Sequence, residues 1–225
     1  MFDIIFASSM KHLLYLDTSD KKSLLLIIRE DEVLAERSND IQNNHGQIIN
    51  AHIEEMMIEC NLSWPQIDAI CVLNGPGSYT GLRISLATAK GLCYAQTIPL
   101  ILLNKLDLIY QSVPKISDSS ICAIIKAREN EFFTAIYSAD GQQKLPYSLL
   151  SKDELLKEIE THQAILCAED ETYQAEFEQF THVNVSFNDI ISLCRTYFYE
   201  HKVADLLHSE PFYLKNVYIN KINKL

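Results

Sequence analysis

Basic residues are scarce in this chain: 19 lysines and arginines stand against 30 aspartates and glutamates in 225 residues, a net charge of −11 at neutral pH. A surface of that sign repels a phosphate backbone, which excludes the isolated chain as a strong RNA or DNA binder. The deficit is deepest between Lys152 and Glu178, where nine acids face two bases. Only Lys215, Lys221 and Lys224, near the C-terminus, offer a plausible RNA contact. Paired cysteines are missing as well. Cys60, Cys71, Cys93, Cys122, Cys167 and Cys194 occur singly, never as C-x-x-C, and several lie in apolar runs such as Ala69–Leu73. That is the pattern of buried thiols in a reducing cytosol, not of a disulfide or metal framework. No apolar run approaches the ~18–20 residues of a membrane span. The opening residues 1–9 lack the basic and apolar regions of a signal peptide, so a cytoplasmic location is expected, with Met10 an alternative start.

What is present is an ordinary globular composition, 48% apolar and 22% charged. His12–Thr18 and Ser23–Arg29 read as β-strands, with a third at Val33–Arg37, in an antiparallel meander. From His45 to Cys60 the apolar positions Ile48, Ile49, Ile53, Met56 and Met57 recur at helical spacing, beside His52. Ile67–Leu73 is a buried strand, Thr80–Ala95 a helix and Ile98–Leu103 another buried strand. Three meandering strands followed by α-β-α-β is the order of the ribonuclease-H-like half of actin-type ATPases. The second half repeats the plan with strands at 120–127, 131–138, 147–150 and 164–168, and helices at 152–160, 171–179 and 188–201. Residues 104–118 read as the boundary. The expectation is an α/β fold of two subdomains, 1–110 and 111–225, each a mixed sheet flanked by helices.

Gly75-Pro76-Gly77-Ser78-Tyr79-Thr80-Gly81-Leu82-Arg83 is the most specific segment. Its glycines permit close backbone approach, and Ser78 or Thr80 is placed to cap the following helix. It reads as a capped structural turn or, through the free N–H groups of a helix start, as an anion site. The spacing fits neither a Walker loop nor a G-x-S-x-G nucleophile elbow. His45 and His52 stand seven residues apart on the expected helix, about 10 Å along its axis, too far to share one metal ion.

The block Gly75–Gly91, GPGSYTGLRISLATAKG, closely resembles the signature of the TsaB (YeaZ) family. Asp17-Thr18-Ser19, Asn44-His45-Gly46, Ile98-Pro99-Leu100, Ala127–Glu131 and Glu210–Lys215 resemble that family's flanking motifs. Lys126 stands where the family usually has aspartate, and Asn104–Asp107 replaces its serine-rich turn. The resemblance implies an actin-like fold and a non-catalytic partner of the transferase TsaD in threonylcarbamoyladenosine modification of tRNA. It further implies contact with the ATPase TsaE, a homodimer when alone, tRNA met only indirectly, and no membrane. No cofactor of its own is expected, with ATP or ADP and magnesium at most at the interface with the partner.

No catalytic or metal-binding residue is assigned. The expected partner interface comprises Ile48, Ile49, His52, Ile53 and Met56 on the first helix and Leu82, Ser85, Leu86 and Ala89 on the second, so that Ile53→Asp or Leu86→Asp would abolish association and spare the fold. Asp17, Thr18, Ser19, Gly77, Ser78 and Arg83 are the candidate nucleotide or anion residues, with Asp17 able to hold magnesium through water. Two other readings remain: an autonomous actin-type ATPase or sugar kinase, and a glycoprotease-like peptidase. The first needs a second phosphate loop where Ala127–Glu131 stands. The second needs a metal motif or a catalytic triad, and the residues offer neither.

Overall fold

The computed structural model describes residues 11–40, 45–114 and 118–213. The expectations for residues 1–9 and for Lys215, Lys221 and Lys224 lie outside the described residues. Strands β1 (His12–Asp17), β2 (Ser23–Arg29) and β3 (Glu32–Asn39) form the meander. Helix α1 (His45–Glu59), β4 (Ala69–Leu73), α2 (Tyr79–Gln96) and β5 (Leu100–Leu103) complete the first half. Its sheet has the order β3-β2-β1-β4-β5, antiparallel along the meander and parallel across β1, β4 and β5. All five residues of β4 are buried, as befits a central strand covered on both faces.

The second half repeats this order. Strands β6 (Ser120–Arg128), β7 (Glu131–Tyr137), β8 (Gln143–Ser151), β9 (Ala164–Ala168) and β10 (Thr181–His182) run β10-β9-β6-β7-β8, with β6 again antiparallel to its hairpin partner and parallel to the strand on its other side. Two mixed five-stranded sheets of one topology, flanked by helices, make an actin-like α/β fold.

Caps decide where the helices start. The Ser78 hydroxyl accepts the Gly81 N–H to open α2, and Ser151 with Glu154 forms a capping box on α4 (Lys152–His162). Ser186 with Asp189 does the same for α5 (Phe187–Tyr199). Helix α3 (Lys105–Gln111) lies inside the stretch read as a boundary. Its signal was Asn104, whose side chain accepts the Leu106 N–H. In place of a helix at 171–179 there is a short 3-10 turn, Glu171–Ala175, because Tyr173 and Phe177 turn inward to pack edge-on against Phe132.

Helix α5 also departs from the subdomain division. Its Ile190, Ile191, Leu193, Cys194 and Phe198 pack with Leu13, Tyr15, Cys71 and Ile101 of the first sheet, so the chain returns to the first half after β10. The other face of that sheet is covered by α1 and α2. In the second half one face packs against α4 and the 3-10 turn, and the other carries Leu106 and Ile109 of α3.

Candidate functional site

A cleft of about 810 Å³ opens between the halves, lined by the β1–β2 turn, the turn from β4 into α2, Lys105, and Ile125–Ala127 of β6. Its floor is closed by backbone contact. The Ser78 N–H donates to the Ser19 carbonyl at 2.7 Å, and the Thr18 hydroxyl donates to the Gly81 carbonyl at 2.6 Å. A Cβ on Gly81 would stand 1.7 Å from the Thr18 oxygen, and one on Gly77 would stand 2.7 Å from Ser19. Both glycines are therefore required by close approach of the two turns and not by a positive φ.

Lys105 is the charge at the centre. Its side chain is 15% exposed, and Nζ lies 3.2 Å from Asp20 Oδ2 and 3.6 Å from Glu169 Oε2. Burial alone would lower its ammonium, but Asp17, Glu169 and Asp20 together outweigh that and raise it. Burial pushes the Asp17 carboxyl above the ordinary carboxylate range, against the pull of Lys105 and of the Ser19 N–H, which donates to Oδ1 at 2.7 Å. For Asp20 burial pulls upward too, yet Lys105 and the Lys21 N–H leave it below its usual value. Lys105 also lines two smaller cavities of about 350 and 410 Å³ beside the cleft.

The same helix carries a second buried charge. Asp107 accepts hydrogen bonds from the hydroxyls of Tyr137, Tyr147 and Tyr197, at 2.5, 2.6 and 2.5 Å. These come from β7, β8 and α5, so one carboxylate ties both halves to α3. Burial followed by the Asp107 charge raises all three phenols.

Of the residues read as an anion site, Thr18, Ser19, Gly77 and Ser78 line the cleft. The Thr18 hydroxyl is committed to a carbonyl, however, and Ser19 is buried under Gly77. Asp17 lines the adjoining cavity instead. Arg83 turns away, donating to the Tyr213 hydroxyl at 3.1 Å and stacking over Tyr79. Lys105, Asp20 and Glu169 escaped the sequence reading because Lys105 and Asp20 are 85 residues apart and no local pattern joins them.

The expected interface is corrected. Ile49, Ile53, Met56, Leu82, Ser85, Leu86 and Ala89 are buried within the chain, most of them in the core between α1, α2 and the first sheet. The stripe looked too wide for one face, but α1 packs on both the sheet and α2, and two contacts consume two rows. Ile53→Asp and Leu86→Asp would therefore break the fold itself. Ile48 and His52 are half-buried. Outward on the same two helices stand Ile58, 72% exposed, and Tyr94, 66% exposed, with the small residues Ala51, Ala87, Gly91 and Ala95.

Residues 32–224 match the family model for TsaD, tRNA N6-adenosine threonylcarbamoyltransferase. The chain belongs to this family, among its TsaB (YeaZ) members. It is 26% identical to the Haemophilus influenzae tRNA threonylcarbamoyladenosine biosynthesis protein TsaB over 91% of this chain and 93% of that one. To the Bacillus subtilis TsaB it is 30% identical over 56% of this chain and 54% of that protein. A YeaZ-like protein from Pseudomonas aeruginosa superposes with a TM-score of 0.74 at 21% identity, covering 92% of this chain and 100% of that one, which shows the shared fold.

An actin-like ATPase fold implies a magnesium nucleotide, and the residues of this cleft do not fit one. A lysine ammonium lies among the carboxylates that a hydrated magnesium ion would need, and the Thr18 hydroxyl is turned to a carbonyl. Peptidase chemistry finds no support from cysteine either. Burial pushes the thiols of Cys93, Cys122 and Cys167 up to about 12, far from a reactive thiolate. Among the described residues no helix is long and apolar enough to cross a membrane.

Proposed function

We propose that this chain acts in threonylcarbamoyladenosine modification of tRNA as a partner of the transferase TsaD, without catalysing the transfer itself. The observation that carries this reading is the cleft. Lys105 neutralises its carboxylates and the Thr18 hydroxyl is bound to Gly81, so the groups that would act on a nucleotide are already engaged with one another. The relatives named TsaB for threonylcarbamoyladenosine biosynthesis supply the process. Any magnesium nucleotide of the complex is then held chiefly by the partner's groups, and tRNA is met through the partner, in keeping with a net charge of −11. Contacts with TsaE and a homodimer of the free chain belong to the same proposal.

The docking surface is the outward face of α1 and α2. Gly46 lies against Ile84, so the two helices start side by side. Nothing stands within 4 Å of a Cβ built on Gly91, which leaves the backbone of α2 open to a close neighbour. Ile58 and Tyr94 are the large side chains on that face, and truncating an interface anchor typically costs more than about 1 kcal/mol.

Isothermal titration of the chain with the transferase tests this. Ile58→Asp and Tyr94→Asp should weaken binding at least about tenfold while leaving the melting temperature near wild type. Unchanged affinity in both would move the interface elsewhere. Steady ATP turnover by the isolated chain, abolished by Asp17→Ala, would refute the non-catalytic reading.

A further inference from the structure

We propose that the cavity between α3, the β7–β8 hairpin and α5 binds an alkylammonium ion, held by the buried Asp107 carboxylate and the tyrosines around it. The inference goes beyond the partner reading and does not rest on it.

The cavity encloses about 570 Å³, room for a small ligand, and shares no lining residue with the cleft. Asp107 lines it and is 7% exposed. A buried carboxylate is ordinarily paired with a cation, yet among the described residues no ion pair reaches Asp107. Its partners are three neutral hydroxyls, two on Oδ2 and one on Oδ1. A carboxylate has about four acceptor positions, so Oδ1 keeps one open.

The hydroxyls of the lining are short of protons as well. Tyr137, Tyr147 and Tyr197 spend theirs on Asp107. The Tyr110 hydroxyl donates to the Ser138 and Ala139 carbonyls, each at 3.3 Å, and the Thr196 hydroxyl donates to the Ser192 carbonyl at 2.9 Å. What these oxygens have left for a ligand is lone pairs, and the amide of Gln143 beside Tyr137 and Tyr147 competes for some of them. An ammonium brings three donors and no acceptor, the complement of such a wall.

Charge points the same way. Asp107, Asp140 and Glu200 oppose a single base in the lining, Lys202. Its ammonium already rests on the wall, 2.8 Å from Glu200 Oε2 and 4.0 Å from the centre of the Tyr197 ring, the arrangement by which an aromatic face holds a cation. A second ammonium on the ligand would meet Asp140, exposed at the tip of the β7–β8 hairpin.

Isothermal titration of the full chain with 1,4-diaminobutane, with 1,4-butanediol and magnesium chloride as controls, tests the inference. Wild type should bind the diamine at one site and neither control. Asp107→Asn keeps the shape and removes the charge, and should weaken binding at least about tenfold. Gln111 is half-buried one turn beyond Asp107 on α3, so in Gln111→Lys a tethered ammonium should occupy the carboxylate, abolish diamine binding and raise the melting temperature. No saturable binding by wild type, or binding that magnesium matches, would overturn the proposal. So would a folded Asp107→Asn or Gln111→Lys that binds the diamine as tightly as wild type. If Asp107→Asn fails to fold, Gln111→Lys decides.

Discussion

In the first half β4 runs through the glycine turn into the 18-residue helix α2, whereas in the second half its counterpart β9 runs into a five-residue 3-10 turn and then the two-residue strand β10. The strand order is the same, but only the first half has a long helix to press its leading turn against the β1–β2 turn. That contact builds the cleft floor through Gly77, Gly81, Thr18 and Ser19. The second half contributes the side of β6 and one carboxylate, Glu169. A shared topology therefore places strand ends around a cleft, and the segments after those strands decide which half supplies its chemistry.

The largest effects should come from breaking the first half where it is tightest. Ile53→Asp puts an unpaired charge into the core of α1 and should cost at least ~4 kcal/mol, enough to unfold a marginally stable protein. Gly81→Ala forces a Cβ onto the Thr18 carbonyl and should cost on the order of 3 kcal/mol or more. Urea titration followed by circular dichroism measures both. The second half has a milder equivalent. Gly141 sits at φ 87 in the β7–β8 turn with no atom nearer than 3.4 Å to a built Cβ, so Gly141→Ala should cost only ~1–2 kcal/mol for its left-handed backbone.

The link between halves comes next. Tyr197→Phe removes one of three donors to the buried Asp107 carboxylate and should cost roughly 1.5–3 kcal/mol in thermal or chemical unfolding. A cost near zero would mean that the cluster does not bind α5 to the second half.

A pH experiment sharpens the cleft side of the comparison. The folded value of Lys105 is raised, so its contribution is fully present below the unfolded value of ~10.4 and is lost as pH rises through the folded value. The stability difference between wild type and Lys105→Met should be constant through neutral pH and shrink above pH ~10.4. Both proteins share the tyrosines, which leaves the difference to report on Lys105. The smallest effect belongs to Gly91→Ala, on the outer face of α2: a gain of about 0.5–1 kcal/mol in the free chain, since nothing crowds the new methyl.

Much of the fold was legible because period and burial agree. The buried run Ala69–Leu73, the apolar runs His12–Thr18 and Ser23–Arg29 of the meander and the helical spacing after His45 are local signals, and each element formed where its signal lay. Asn104 was a legible cap that the linker-like residues after it obscured. The 171–179 segment misled because Tyr173 and Phe177 gain more by packing on Phe132 than by continuing a helix.

By itself the sequence determined the order of strands and helices from β1 to β5, the glycine turn and its family, and the sign of the net charge, since all of these rest on residues close together in the chain or on composition. Only the tertiary structure decided that Ile53 and Leu86 point inward, because a helical stripe does not say how many neighbours will cover it. Only the tertiary structure brought Lys105 to Asp17, Asp20 and Glu169, and Asp107 to three tyrosines. Buried charges find their partners through chain topology, across whole elements, and no local spacing encodes that meeting.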